Sequence, residues 1–253
     1  MIDTHVHLLM LKRPVVDTLG RAKAAGLSHV IQVATDIQSS KAGLDLAAEH
    51  DMVSATVGIH PGYPDDFSRI SELEELIKNR RSEIVALGEI GLDYHYEHDP
   101  VAQQNAFRAQ LDLAKKYQLP VVIHNRKADE DIAKIASEYP EIPMLCHCFS
   151  SAEAFIESMG PERLYLSFTG MVTHQKKGKV IRVLKNWPLN RTMIETDSPY
   201  LVPKGYEGQE NEPAYVVEVA KRIAELKEIS VEIVSEYTDA TAAEFFGLDL
   251  GAK

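Results

Sequence analysis

Short runs of apolar and β-branched residues recur along the chain, and a stretch of helical periodicity follows each one. Eight runs read as strands: 1–7, 29–34, 52–59, 84–89, 120–124, 142–147, 164–168 and 192–197. The intervening stretches read as helices over 15–25, 40–50, a segment starting at 71, 101–118, 128–137, 152–159 and 179–186. The segment at 71 opens with Ser71 and Glu74 in capping-box spacing. Two more helices, 212–226 and 231–246, close the pattern, with Gly247 at the place of a helix C-cap. Strands alternating with helices predict a parallel sheet. Eight units within 253 residues fit a closed TIM (β/α)8 barrel, one domain over 1–253, better than an open doubly wound sheet.

Composition narrows this picture. The chain is 45% hydrophobic and 26% charged, ordinary for a globular protein. No run approaches the roughly 18 apolar residues of a membrane span. The first ten residues lack the basic start and cleavage site of a signal peptide, so the expected location is cytoplasmic. The net charge of −11 argues against a basic stripe for polyanions. An anionic substrate must then be gripped locally, by metal ions or a few cations. Cys146 and Cys148 offer no disulfide framework and are expected to pack as reduced thiols, on the face opposite His147. Nothing marks an obligatory protein partner.

The candidate chemistry sits where strands end. In Asp3-Thr4-His5-Val6-His7, alternation puts Asp3, His5 and His7 on one face. An H-x-H pair alone is a weak signal. It gains weight because other apolar runs also end in ligand-type residues: Glu89, His124, His147, and Glu195 with Asp197. Barrel enzymes build their sites at that end. The expected ligands are His5, His7, Glu89, His124, His147 and Asp197. Six such donors exceed the needs of one tetrahedral ion and suit two divalent ions, with Glu89 as the candidate bridge. The donor types allow zinc, manganese, magnesium or iron; the four histidines lean toward zinc or manganese. Glu89 and Asp197 are the expected catalytic carboxylates, with Asp197 as the base for a metal-activated water.

Substrate contacts are expected from His60, Arg126, Asp93 and Lys204. His60 is weighed against a loop-orienting hydrogen bond, and Arg126 against a salt bridge. Asp93, like Asp3 and Glu195, can instead orient a ligand from behind. Lys204 is weighed against a solvated loop lysine.

The motifs DTHVH (3–7), GIHP (58–61), GEIGLDYH (88–95), HNR (124–126), HCFS (147–150), ETDSPYL (195–201) and NEPAY (211–215) resemble the TatD family of metal-dependent deoxyribonucleases, amidohydrolase-like barrels. The resemblance covers nearly the whole chain. It implies the six ligands above, a catalytic role for Asp197, and cleavage of DNA or another nucleic-acid 3′ end. Ester or amide hydrolysis, as in D-aminoacyl-tRNA deacylases, stays open beside it. At three positions the chain departs from the family pattern: Glu210 stands for an arginine, Gly62 for a histidine and Ser151 for a glycine.

Overall fold

The computed structural model describes residues 1–249; the last four residues of the expected domain, 250–253, lie outside the described residues. Eight strands form one sheet in sequence order. They are β1 (Ile2–Val6), β2 (His29–Gln32), β3 (Val53–Val57), β4 (Ile84–Asp93), β5 (Val121–Arg126), β6 (Met144–Cys146), β7 (Leu164–Phe168) and β8 (Thr192–Ile194). The helices are α1 (Val15–Ala24), α2 (Ile37–Glu49), α3 (Ile70–Arg80), α4 (Pro100–Tyr117), α5 (Asp129–Ala136), α6 (Glu153–Met159), α7 (Met171–His174), α8 (Lys179–Asn186), α9 (Val216–Lys227) and α10 (Val231–Phe246). Among the described residues no helix is long and apolar enough to cross a membrane.

The chain divides into two compact units. The first comprises Met1–Gln32, Cys148–Ala152 and the chain from Leu166 onward. Here β1 pairs in parallel with β2, and β7 with β8. The end of β1 also meets the segment after β8: Asp197 N–H donates to His5 O (2.9 Å) and His7 N–H to Ser198 O (2.9 Å). All five residues of β1 are buried, Asp3, Thr4 and His5 included. A polar residue survives there only if bonded. Thr4 Oγ1 accordingly donates to Ile194 O (3.0 Å), and Asp3 accepts from Thr196 Oγ1 (2.6 Å) and Thr196 N–H (3.0 Å). α10 ends at Gly247 with φ +63°, the left-handed C-cap anticipated.

The second unit comprises Val33–His147 and Glu153–Tyr165. It contains the parallel ladders β3–β4, β4–β5 and β5–β6. β4 does not stop at Glu89 as its apolar run predicts; it continues to Asp93. Two glycines permit this. A Cβ on Gly88 would stand 2.6 Å from Val122 Cβ, and one on Gly91 2.1 Å from His124 O. Only glycine lets the two backbones approach so closely. The capping box expected at Ser71 does not form, because a 3-10 turn over Pro64–Arg69 runs directly into α3. α2 is capped by Asp36 and starts three residues earlier than its periodicity indicates. α4 starts after Asp99, whose side chain accepts the Val101 N–H (2.9 Å).

Candidate active site

In the first unit, His5 and His7 leave β1 with their rings edge to face, centroids 5.1 Å apart. Asp197 follows β8 with φ +55°, a left-handed backbone uncommon outside glycine, asparagine and aspartate. That turn is fixed at both sides: its N–H reaches His5 O, and its carbonyl accepts Tyr200 N–H (2.9 Å). The turn sets Asp197 Oδ1 3.5 Å from His7 Nε2 and 3.8 Å from His5 Nε2. These separations are close to the edge of a tetrahedron with metal–ligand bonds of about 2.1 Å, roughly 3.4 Å. The donor set therefore fits a divalent cation.

Asp3 and Glu195 stand behind this trio. Burial pushes the Asp3 carboxyl up to about 8, against the hydrogen bonds from Thr196 and His5 that work the other way. Glu195 accepts from Ser167 Oγ (2.6 Å) and from Cys148 N–H (2.7 Å). Both side chains are fully buried and engaged in orienting backbone. The segment Asn211–Glu212 explains part of its own motif. Buried Asn211 donates through Nδ2 to Thr196 O (2.9 Å) and to Tyr200 O, and Arg21 grips Glu212 with two nitrogens. The loop after β8 is thus clasped back onto the segment that carries Asp197. Glu210 accepts the Lys12 N–H (3.2 Å). Lys204 is exposed, held through its backbone N–H to Thr173 Oγ1 (2.7 Å).

In the second unit, Glu89 Oε1 gathers three imidazoles: His124 Nδ1 at 2.6 Å, His147 Nε2 at 2.7 Å and His60 Nε2 at 3.5 Å. Burial acts to raise the Glu89 pKa, yet the three rings outweigh it and hold the carboxylate well below its usual range. His124 is held from both sides, since its Nε2 meets Asp93 Oδ2 at 2.9 Å. Burial would lower its pKa, but the two carboxylates win and raise it. With Nε2–H on Asp93, the proton on Nδ1 is the one a cation would replace. Carboxylate and imidazole are donor types that suit a divalent ion, and His60, Glu89 and His124 each offer an atom close enough to share one. The 2.6 and 2.7 Å separations on Glu89 are those of hydrogen bonds.

His60 differs from its neighbours. Its Nδ1 accepts the Gly62 N–H (2.9 Å), so the neutral ring carries its proton on Nε2. Burial, joined by His124 and His147 and opposed by Glu89, lowers its pKa and favours that neutral form. His60 therefore presents a donor, whereas His124 presents an exchangeable proton. Asp93 is buried and points at His124 rather than outward, also accepting the His95 N–H (2.8 Å). Arg126 is exposed at the end of β5, its guanidinium 5.9 Å from the Tyr96 ring centroid.

Some contributors are silent in the sequence. Gln103 and Gln110, seven residues apart on α4, are buried. Gln103 both accepts from Asp93 N–H (2.8 Å) and donates to Asp93 O (3.0 Å). Gln110 does the same to Ile59 (2.8 and 3.0 Å), the residue before His60. Cysteine alternation also fails beyond β6: Cys148 has φ +45°, so it has left the extended path, while Cys146 is buried and its thiol is pushed up to about 12.

A family model described as TatD related DNase matches residues 2–247. A Bacillus subtilis protein, the uncharacterized metal-dependent hydrolase YabD, is 36% identical, covering 98% of this chain and 100% of its own. The 3′-5′ ssDNA/RNA exonuclease TatD of Enterobacter lignolyticus is 33% identical over 91% of this chain and 92% of its own. Among solved structures, the TatD homolog YJJV from Escherichia coli superposes with a TM-score of 0.90 at 28% identity, covering 98% of each chain. The strand order and this likeness establish the TIM (β/α)8 barrel anticipated from the alternation.

Proposed function

Since this chain belongs to the TatD-related DNase family of metal-dependent hydrolases, we propose that it removes nucleotides from the 3′ end of single-stranded nucleic acid. The observation that carries this reading is a carboxylate–imidazole cluster in each unit: His5, His7 and Asp197 in the first, and Glu89 with His60, His124 and His147 around it in the second. His5, His7 and Asp197 would hold one divalent ion; Glu89, His124 and His147 would hold another. Zinc, manganese and magnesium all suit such mixed donors. Bound ions of this kind supply a water acidic enough to attack at neutral pH and polarise the phosphoryl oxygen.

The chain's own residues do the rest. Asp197, fixed by its left-handed turn, accepts the proton of the attacking water. The water oxygen bonds to phosphorus as the bond from phosphorus to the 3′-oxygen breaks, and the departing oxygen takes up the proton that Asp197 accepted. His60 donates from Nε2 toward a phosphoryl oxygen. Lys204 serves as a phosphate contact on the loop after β8. Asp93 keeps His124 in one orientation. We place the activity in the cytoplasm and assign it to one continuous domain.

Glu210 favours a second reading, hydrolysis of an aminoacyl ester at a nucleic-acid 3′ end, because its negative charge stands where the family resemblance leads one to expect a cation. Deacylation of charged tRNA without shortening of DNA would establish it.

The test is a 5′-labelled single-stranded oligonucleotide incubated with protein loaded with magnesium, manganese, zinc or cobalt. Stepwise shortening from the 3′ end is expected. Asp197→Asn should lower kcat by at least about 100-fold while the chain keeps much of its metal. No shortening with any of the four metals, or near-normal turnover by the variant, would overturn the assignment.

A further inference from the structure

We propose that Tyr96, Arg126 and Lys127 form a platform that seats the nucleotide next to the one being cleaved, with a base on the tyrosine ring and backbone phosphate on the two cations. This rests on the reading above that the substrate is single-stranded nucleic acid. The loop between β4 and α4 carries two tyrosines with opposite fates. Tyr94 is tied down: its hydroxyl donates to Asp131 Oδ2 (2.7 Å) and accepts from Gln104 Nε2 (2.8 Å). Tyr96 is not; its residue is 49% exposed. An aromatic ring left this open, on a loop whose root is anchored, is a surface held ready for another flat group.

The surroundings specify what that group is. Arg126 stands over the Tyr96 ring, and the Lys127 ammonium lies 3.3 Å from His95 Nδ1. The rings of His95 and His98 flank Tyr96 at 5.6 and 5.8 Å. Among the described residues, neither Arg126 nor Lys127 forms an ion pair with a carboxylate. In a chain of net charge −11, these two adjacent cations stand directly beside an exposed ring. Aromatic faces interleaved with cations are the chemistry that holds single strands without reading their sequence. A membrane surface or an acidic peptide would use the cations but leave the ring unexplained.

The placement joins this platform to the reacting centre. Arg126 follows the ligand His124 by two residues along β5, about 7 Å, the reach of roughly one nucleotide. The loop is fastened to β5 by Tyr94 N–H donating to Arg126 O (2.9 Å), and to Asp93 by His95 N–H. The platform is therefore held by the same strands that hold His124.

The experiment is fluorescence anisotropy with dye-labelled oligo(dT) and oligo(rU) on the full chain in EDTA, which stops hydrolysis and isolates binding. Tyr96→Ala should weaken binding of both strands about 10- to 100-fold, and Tyr96→Trp should restore it. The double variant Arg126→Gln with Lys127→Gln should weaken binding and make it less salt-dependent, the log–log slope shrinking by about 0.7 for each phosphate no longer neutralised. Unchanged affinity in Tyr96→Ala, or loss in both Tyr96→Ala and Tyr96→Trp, would overturn the platform. Tyr96-dependent binding by a chain that cleaves no phosphodiester with any metal would sink the exonuclease reading and leave the platform standing. Cleavage with Tyr96-indifferent binding would do the reverse.

Discussion

His60 sits between a backbone N–H and a carboxylate, and those two neighbours decide what it can do. The Gly62 amide can only donate, so Nδ1 must accept and Nε2 must carry the proton. A ring in that state cannot ligate through Nε2 without giving up its proton. His60→Ala should thus retain the metal content of the parent chain, measured by elemental analysis after dialysis, while kcat falls by about 100-fold, the usual scale for losing one donor to the reacting oxygen. Parallel loss of metal and turnover would make His60 a ligand instead. At this scale the sequence shows a great deal. His5 and His7 are legible because strand alternation places them on one face, and Glu89, His124 and His147 because an apolar run breaks into a ligand-type residue. The tautomer of His60 is not legible, since it depends on where a backbone amide two residues later points. The left-handed turn at Asp197 is not legible either, because nothing about an aspartate announces a positive φ.

Among the elements, α4 has a role that its pattern hides. Its apolar residues Phe107, Leu111 and Leu113 are buried as their type leads one to expect, and glutamine is ordinarily assigned to solvent. Gln103 and Gln110 are nevertheless buried, each closing a two-way bond on a strand-end backbone. Gln103→Leu keeps the bulk but strands the N–H and C=O of Asp93. Two buried groups left unbonded cost about 2–4 kcal/mol together. Urea unfolding should show a loss in that range; a loss below about 1 kcal/mol would mean that water or a shifted loop replaces the amide. β4 teaches the converse lesson. Gly88 and Gly91 look like strand breakers, yet their missing side chains are what allow β4 to run on beside β5. The reason lies in the neighbouring strand, which local pattern cannot contain.

For the molecule as a whole, one contribution to the pH dependence of stability traces to a single buried ring. His29 opens β2 and is 8% exposed. Burial pushes its imidazole from the ordinary 6.5 down to about 4, so the folded chain keeps it neutral where the unfolded chain protonates it. Between those values the unfolded state binds more protons. The His29 contribution to stability therefore rises with pH through the window and is lost as pH falls from about 6.5 to about 4, while the raised Asp3 carboxyl contributes in the opposite direction. The full effect is about 3 kcal/mol. His29→Gln cannot protonate, so its stability should fall less than that of the parent between about pH 7 and about pH 4.5 in urea titrations. Identical losses in the two proteins would remove His29 as the source. The barrel itself is legible from the count of alternations, because eight strand–helix units of this length leave few other ways to satisfy a parallel sheet. That the chain packs as two units is a long-range fact with no local signature, and the motif at Asn211–Glu212 does not by itself announce the clasp it makes on the loop after β8.

Asp93 has a consequence that reaches beyond its own position. One carboxylate accepts from the Nε2 of His124 and from the amide of His95, so the proposed metal ligand and the loop beneath Tyr96 share a single anchor. Two binding events that bias the same anchor are thermodynamically linked, and the linkage is reciprocal. Whatever factor manganese lends to oligonucleotide affinity, the oligonucleotide must return to manganese. Measured with an uncleavable phosphorothioate strand, the two factors should agree, and both should shrink toward one in Asp93→Asn.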